Sequence, residues 1–236
     1  MRSRALVIIP AYNEATTIAA VVRGLREAAP DVDRLIVTDG SSDGTPDVVR
    51  SLGERHLEMI CNVGYGRVLQ TGFFYAVRTG YEVIVTLDGD GQHDPHDVPR
   101  LLEALDATGA DLVIGSRFVT ARRYSGPTGR KVGQWIFSVL TGLLGQRIYD
   151  TTSGLKAWRA PACEATLEGR FLDFHTEVLV RLRMLGFRIV ELGIVVEERT
   201  SGTSMYSLVG AVAYPVKTFL LMITGMLDVK LRGQIK

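Results

Sequence analysis

The chain has few cysteines, and this scarcity excludes several classes of protein. Only two are present among the 236 residues, Cys61 and Cys163. Two cysteines cannot build the disulfide framework of a small secreted domain, and these two do not have the paired spacing of a zinc site. We therefore expect both to be buried free thiols of a protein in a reducing compartment.

The chain also lacks an excess of charge of either sign. Its 27 Lys and Arg against 26 Asp and Glu leave a net charge of +1. This balance argues against a general nucleic-acid-binding protein, which would carry a basic surface. The apolar content of 46% is that of a folded globular protein. The length suits one large domain, or one domain with an appendage.

Long apolar runs are missing from most of the chain. The run Ala5–Ile9 is too short for a signal-peptide core and is predicted to be the first strand. The exception is the stretch 208–227, which approaches the ~20 residues that cross a bilayer. Pro215 and Lys217 in its middle weaken that interpretation. An interfacial helix on anionic lipid and a helix docked on a partner subunit are the alternatives.

What the chain does contain is a regular alternation of short apolar strands and amphipathic helices. This order predicts an α/β fold with a mostly parallel sheet and helices on both faces. Pro10 is expected to stop the first strand, Asn13 to cap the first helix, and Asp97 to cap the helix after the central strand. The predicted strands are Ala5–Ile9, Arg34–Val37, His56–Cys61, Val83–Leu87, Asp111–Gly115 and Arg188–Val196, and the later helices include 46–52, 68–77 and 174–185.

A cluster of acids follows the strand that begins at Val83. The carboxylates of Asp88 and Asp90 are separated by glycine, which lets the backbone bend so that several oxygens converge. Such oxygens suit Mg²⁺ or Mn²⁺ and the diphosphate of a nucleotide-sugar. The alternative is an acidic surface turn, since Asp and Gly are ordinary turn residues. The position at the end of a buried strand favours the ligand site.

Other strand ends are expected at the same edge of the sheet, because crossover connections between parallel strands share one handedness. A nucleoside could lie over Pro10, Tyr12, Glu14 and Asp39, with its diphosphate reaching a metal held by Asp90. The glycine loop 62–66 departs from the dinucleotide-binding fingerprint, so a dehydrogenase is disfavoured.

The second half of the chain is less regular. The basic loop 120–131 suits a phosphate or is a solvated loop. The stretch 132–149 predicts a helix that faces the core or lies on a membrane, and 150–159 is a polar, turn-rich segment. Arg199 could chelate a phosphate and Ser204 could donate to one, although a surface loop is the simpler interpretation of Arg199 alone.

Together these motifs resemble the family 2 glycosyltransferases with the GT-A fold, in particular the dolichyl- or polyprenyl-phosphate mannosyltransferase branch. The resemblance extends to about Ser204, so we expect a catalytic domain over 1–204 and a membrane- or partner-associated segment over 205–236. The motifs are Ile9–Glu14, Thr38–Thr45, Asn62–Gly66, Asp88–Pro95, Gly115–Arg117, Asp150–Gly154 and Arg199–Ser204. Three departures are Thr38 in place of a paired aspartate, Tyr65 in place of a lysine, and Met205 in place of a basic residue.

The resemblance implies roles for individual positions. Asp90, Arg117 and Arg199 would be catalytic. The donor nucleotide-sugar would contact Pro10, Tyr12, Glu14, Val37, Asp39, Asp88, Gly89, Asp90, Gln92 and Arg117. The metal would be held by Asp90, Gln92 and Asp88, and the acceptor phosphate by Lys131, Arg199 and Ser204.

The resemblance further implies an inverting, metal-dependent transfer, with mannose from GDP-mannose to a polyprenyl or dolichyl phosphate as the expected reaction. Two alternatives are transfer of glucose or N-acetylhexosamine from a UDP-sugar to a lipid or glycan, and a non-catalytic nucleotide-sugar-binding subunit of a membrane complex. The expected location is the cytoplasmic face of a membrane, with a small membrane subunit as a potential partner. His93 is expected to be structural, because an anionic acceptor needs positioning more than a base.

Overall fold

The computed structural model of the protein describes residues 4–119, 138–139, 141–142, 147–167 and 174–196. Three residues to which the sequence assigns roles, Lys131, Arg199 and Ser204, lie outside these ranges. The basic loop 120–131, most of the stretch 132–149 and the C-terminal segment 205–236 lie outside them too. Within the described part of the chain, no helix has the length and apolar character that crossing a bilayer requires.

Strands and helices alternate along the first half of the chain, as predicted. The strands are β1 (Ala5–Ala11), β2 (Asp33–Asp39), β3 (Arg55–Met59), β4 (Val83–Thr86), β5 (Leu112–Ser116), β6 (Lys156–Arg159) and β7 (Ile189–Gly193). The helices are α1 (Ile18–Ala28), α2 (Thr45–Ser51), α3 (Tyr65–Arg78), α4 (Asp97–Thr108), α5 (Ala160–Leu167) and α6 (Thr176–Met184).

The strands form one seven-stranded sheet in the order β3-β2-β1-β4-β6-β5-β7. Strands β3, β2, β1 and β4 are parallel neighbours, as are β5 and β7. Strand β6 runs antiparallel to both β4 and β5, between which it lies. The prediction of an α/β fold with a mostly parallel sheet is therefore confirmed.

Both faces of the sheet are covered by helices, which explains the uninterrupted apolar runs of the central strands. Successive residues of a strand point to opposite faces. Val7 and Ile9 of β1 accordingly pack with α1, α2 and α4, whereas Leu6 and Ile8 pack with α3, α5 and α6. The sheet thus separates two hydrophobic cores, and its edges are left for polar loops.

Three local predictions are wrong. Pro10 does not stop the first strand, because β1 continues to Ala11 and Pro10 pairs in parallel register with Val37. Asn13 does not cap α1; it has a positive φ of 55° in the loop before the helix, and Thr17 is the N-cap. The N-cap of α4 is His96, and Asp97 is the first residue of that helix.

Two further predictions need correction. The segment 150–159 is not wholly a turn-rich connection, because its last four residues form β6. This strand has charged residues at both ends, Lys156 and Arg159, so it lacks the apolar run by which the other strands were recognised. Cys163 is buried as expected, but Cys61 is exposed in the loop after β3.

Candidate active site

The ends of β1, β2 and β4 meet at one edge of the sheet. Ala11 pairs with Thr38, which places the loops after β1 and β2 side by side. The backbone N–H of Gly89 donates to the carbonyl of Pro10 at 3.3 Å, so the acidic turn after β4 lies against the end of β1. The three motifs that the sequence predicts to bind the donor are therefore neighbours.

The loops after β1 and β2 are locked together by hydrogen bonds. The side chain of Asn13 accepts from the N–H of Ser42 at 2.9 Å, and the N–H of Glu14 donates to Thr45 Oγ1 at 2.8 Å. Thr17 Oγ1 lies within 2.9 Å of Glu14 Oε2 and 2.8 Å of the Gly89 carbonyl oxygen. The loops after β1 and β2 thus form a rim of the site, and their hydrogen bonds hold Glu14 beside the acidic turn.

The other predicted nucleoside positions differ in exposure. Tyr12 is 47% exposed at the rim, where a ligand ring could reach it. Pro10 is buried. Val37 is fully buried and packs in the core on the α3 side of the sheet. Val37 therefore supports this edge from below, and its side chain is not presented to a ligand in this structure.

Asp39 organises the glycine loop. Its carboxylate accepts from the N–H groups of Val63 at 2.7 Å and Gly64 at 3.0 Å, and the residue is buried. The adjacent Gly40 has a φ of +61°, and a Cβ there would lie 2.4 Å from the carbonyl carbon of Cys61. Only glycine permits this close approach. Asp39 thus holds the start of α3 against the site, in addition to any contact with a nucleoside.

Asp88 is held from two sides. Tyr65 donates its hydroxyl to Asp88 Oδ1 at 3.1 Å. On the other side the backbone of Gly154 is so close that a Cβ there would lie 1.7 Å from Asp88 Oδ2. Burial, together with the negative charges of Asp88 and Asp90, raises the pKa of Tyr65 well above its usual range. The phenol therefore remains a donor at neutral pH, and both carboxylates lie near it.

The predicted metal ligands fit a hard divalent cation by their chemistry. Asp90 is half-buried, and its Oδ1 accepts from the backbone N–H of Gln92 at 3.0 Å, which fixes the turn. The residues that the structure describes contain no group of three or more His, Cys, Asp or Glu that could hold a metal ion. Two carboxylates and an amide oxygen are the donor set of a site that shares its cation with substrate phosphates.

His93 is buried directly after these residues. Its backbone pairs with Val196 in an antiparallel bridge, and its Nδ1 has no hydrogen-bond partner within the described residues. Burial, assisted by the positive charge of Arg117, lowers the pKa of His93 to about 4, against the opposing charge of Asp90. The imidazole is therefore neutral at pH 7, which agrees with the structural role expected of it.

Arg117 directly follows β5 and forms an ion pair with Asp150. Its Nε and one terminal nitrogen lie 2.8 Å and 2.7 Å from the two carboxylate oxygens, and its backbone N–H donates to the same group at 2.9 Å. Thr152 Oγ1 accepts a further bond at 2.8 Å. Burial alone would raise the pKa of Asp150, but Arg117 outweighs burial and holds that pKa below its ordinary value.

Several residues of this site were missed by sequence reasoning. Glu191 of β7 accepts from the N–H groups of Tyr149 and Asp150, each at 2.8 Å, and so fixes the loop that carries Asp150. Burial raises the pKa of Glu191. Lys156 is buried, and its ammonium group donates a hydrogen bond to the carbonyl of Ser153. A charged residue within an otherwise apolar strand was the available signal for Glu191, and Lys156 had no such signal.

The acidic part of the site, with Asp88 and Asp90, and its basic part, with Arg117, are neighbours. The loop that begins at Asp150 binds Arg117, and its last residue, Gly154, lies against Asp88. His93 also experiences the charges of both Arg117 and Asp90. The edge of the sheet therefore combines two carboxylates suited to a cation with a guanidinium group that Asp150 and Thr152 hold rigidly.

Comparison with known proteins decides the family. The family model described as glycosyl transferase family 2 matches residues 6–155, which include every motif from the end of β1 to the loop before β6. The chain belongs to glycosyl transferase family 2. It is therefore a glycosyltransferase, and the resemblance drawn from its motifs is confirmed.

Individual members of the family extend over most of the chain. An undecaprenyl-phosphate mannosyltransferase of Micrococcus luteus is 37% identical over 86% of this chain and 88% of its own length. A polyprenol monophosphomannose synthase of Mycolicibacterium smegmatis is 36% identical over 86% of this chain and 81% of its own.

A solved structure shows the fold. Glucosyl-3-phosphoglycerate synthase from Mycobacterium tuberculosis, in complex with Mn²⁺, uridine diphosphate and phosphoglyceric acid, matches with a TM-score of 0.71. The match covers 94% of this chain and 78% of the synthase, at 20% identity. The predicted GT-A fold of a nucleotide-diphospho-sugar transferase is thereby confirmed.

Proposed function

We propose that this family 2 glycosyltransferase transfers mannose from GDP-mannose to a polyprenyl phosphate, with inversion at the anomeric carbon and with Mg²⁺ or Mn²⁺ as cofactor. The observation that carries the proposal is the joining of Asp88 and Asp90 to Arg117 through the loop 150–154. Two relatives that are each more than a third identical and cover most of this chain carry polyprenyl-phosphate mannosyl transfer in their names.

The reaction is a single displacement. An oxygen of the acceptor phosphate forms a bond to the anomeric carbon, while the bond from that carbon to the diphosphate oxygen breaks and its electron pair leaves with the diphosphate. The acceptor is already an anion, so no strong base is required. This agrees with the burial of His93 as a neutral imidazole.

We assign different roles to the residues at the sheet edge. Tyr12, Glu14 and Asp39 line the nucleoside side, with Pro10 and Val37 beneath them. Asp90 and Gln92, with Asp88, would hold the cation, which supplies Lewis-acid stabilisation of the leaving diphosphate when bound.

The basic residues are assigned to phosphates. Arg117 is fixed in orientation before substrate arrives, which is the condition under which an electrostatic contact lowers a barrier most. Lys131, Arg199 and Ser204 are assigned to the acceptor phosphate from the sequence. The acceptor places the enzyme at a membrane surface, in our proposal the cytoplasmic face, and a small membrane subunit stays a prediction.

The test uses the full chain with undecaprenyl phosphate in detergent and three donors, GDP-mannose, UDP-glucose and UDP-N-acetylglucosamine, each with and without Mn²⁺. We expect GDP-mannose with Mn²⁺ to raise the melting temperature, because a ligand that binds only the folded state stabilises it. We expect mannose to be transferred to the lipid.

Two variants separate the metal site from its surroundings. Asp90→Ala should abolish transfer with an unchanged melting temperature of the unliganded protein. Asp94→Asn is the matched control, because the side chain of this exposed acid of the same loop bonds the backbone and side chain of His96, the N-cap of α4. Transfer by Asp90→Ala would exclude the metal role, and a response to a UDP-sugar alone would exclude mannose.

A further inference from the structure

Tyr65 lies beside the acidic turn and has no role in the proposed displacement. It is the first residue of α3 and follows Gly64, whose φ of +89° turns the chain into the helix. Its hydroxyl donates to Asp88 Oδ1 at 3.1 Å. The start of α3 therefore delivers one neutral hydrogen-bond donor to one carboxylate of the proposed cation site.

The ring of Tyr65 is held in place from behind. It stacks on the imidazole of His175, with ring centroids 5.0 Å apart and planes inclined by 23°. One residue along the helix, a Cβ at Gly66 would lie 3.0 Å from the Cβ of Phe174. Helix α3 thus lies tightly against the 174–175 segment, and the hydroxyl of Tyr65 has a position set by packing.

Asp88 is confined on its opposite side as well. The backbone of Gly154 lies against Asp88 Oδ2, so the carboxylate cannot rotate in that direction without displacing the loop 150–154. With Tyr65 on Oδ1 and Gly154 beside Oδ2, one orientation of the carboxylate is selected. A preset ligand orientation is what outer hydrogen-bond partners supply at metal sites.

We propose that Tyr65 is a positioning residue, which orients Asp88 for a divalent cation while leaving the full negative charge of that carboxylate. This inference rests on the proposed function, because it assumes that the acidic turn binds the cation. A phenol hydroxyl orients a carboxylate without cancelling its charge, so Asp88 stays the anionic oxygen ligand that a hard cation prefers.

Mn²⁺ alone is the probe, and its binding to the full-length protein is followed by electron paramagnetic resonance of the free ion, without donor or acceptor. Tyr65→Phe keeps the ring and its stack on His175 but removes the hydroxyl. Tyr81→Phe is the matched control, since it removes a tyrosine hydroxyl that donates to Asp33 at 2.6 Å, outside the site.

We expect Tyr65→Phe to weaken Mn²⁺ binding about tenfold, the effect typical of losing an outer-shell hydrogen bond. Tyr81→Phe should leave it unchanged. Circular dichroism and the melting temperature verify that each variant is folded.

Asp90→Ala distinguishes failure of this inference from failure of the proposed function. If Asp90→Ala abolishes Mn²⁺ binding while Tyr65→Phe binds Mn²⁺ as the wild type does, the positioning role is overturned and the cation site stands. If Asp90→Ala also binds Mn²⁺ normally, the cation site itself lies elsewhere, and both are overturned.

Discussion

At the scale of single residues, the burial of His93 gives the protein a specific sensitivity to acid. An unfolded histidine has a pKa of about 6.5, whereas burial lowers the pKa of His93 to about 4. Between these values the unfolded chain binds more protons than the folded protein, so stability falls as the pH falls. Above pH 7 the imidazole is neutral in both states and contributes no pH dependence.

We therefore predict that His93→Gln reduces the acid sensitivity of the metal-free protein. The free energy of unfolding in urea should drop between pH 7 and pH 4.5 by roughly 2–3 kcal/mol less in the variant than in the wild type. The readout is this difference between two pH values, so a constant cost of the substitution cancels. Equal drops in both proteins would show that His93 is protonated in the folded state.

Gly154 is a second residue whose substitution has a predictable consequence, because Asp88 lies directly against it. A Cβ at this position would lie 1.7 Å from Asp88 Oδ2, which no rotation of the new methyl group can relieve. We predict that Gly154→Ala displaces Asp88 and lowers transfer and Mn²⁺ affinity by at least about tenfold, as loss of ligand support does elsewhere.

The control for Gly154→Ala is a glycine whose replacement strains the chain without touching the site. Gly53 has a φ of +68°, and a Cβ there meets no atom within 4 Å. Gly53→Ala should cost about 1–2 kcal/mol of stability from the left-handed backbone alone and leave transfer intact. If the two variants lose activity in proportion to their stability, the steric account of Gly154 is wrong.

At the scale of elements, β6 is the strand that could not be predicted from the sequence. Parallel strands that alternate with helices could be predicted, because continuous apolar runs and 3.6-residue periodicity are local signals. The edge that gathers Asp39, Asp88 and Asp90 followed from the handedness of crossovers. An antiparallel strand of four residues that begins with Lys156 has neither signal, and its pairing with β4 and β5 is a long-range contact.

The antiparallel direction of β6 explains the composition of the site. Lys156, its first residue, pairs with Thr86 near the end of β4 and with Ile114 near the end of β5. The loop before β6 must therefore lie at the edge where the parallel strands end. That is how Asp150 and Gly154 reach Arg117 and Asp88, which the sequence could not show.

We predict that the packing of β6 depends on Trp158. This side chain is buried between the strands and α3, with its ring 5.2 Å from Phe73 in an edge-to-face arrangement. Its indole N–H has no hydrogen-bond partner within the described residues. Trp158→Ala should cost about 3–5 kcal/mol in urea unfolding. Trp158→Phe should cost roughly 1–2 kcal/mol, since it keeps the aromatic contact and removes an unpaired donor.

The order of the two Trp158 variants tests the interpretation. A loss for Trp158→Phe as large as that for Trp158→Ala would mean that the indole N–H is bonded after all.

At the scale of the whole molecule, the sheet is two groups of parallel strands joined by β6. The group β3-β2-β1-β4 supplies the rim that we propose for the nucleoside and the acidic turn, and the group β5-β7 supplies Arg117 and Glu191. The loop before β6 contacts both groups through Asp150 and Gly154. The proposed donor and phosphate contacts thus come from both groups of strands, and the geometry of this loop decides whether they form one site.

The sequence after Ser204 predicts how the site would reach the proposed acceptor in a bilayer. It contains the apolar stretch 208–227, four basic residues and one acid. Because a basic, apolar segment binds an anionic bilayer by charge and by apolar burial, we predict that a chain ending at Ser204 no longer sediments with vesicles that contain anionic lipid.

A second variant separates charge from apolar burial. Replacing Lys230, Arg232 and Lys236 by Gln in the full chain should weaken vesicle binding by roughly 3 kcal/mol, or about a hundredfold, if each basic residue contributes about 1 kcal/mol at an anionic surface. Raising the salt concentration should reproduce this loss in the wild type, because it screens exposed charges. Undiminished sedimentation of the chain ending at Ser204 would instead place the membrane contact on the catalytic domain, beside the site itself.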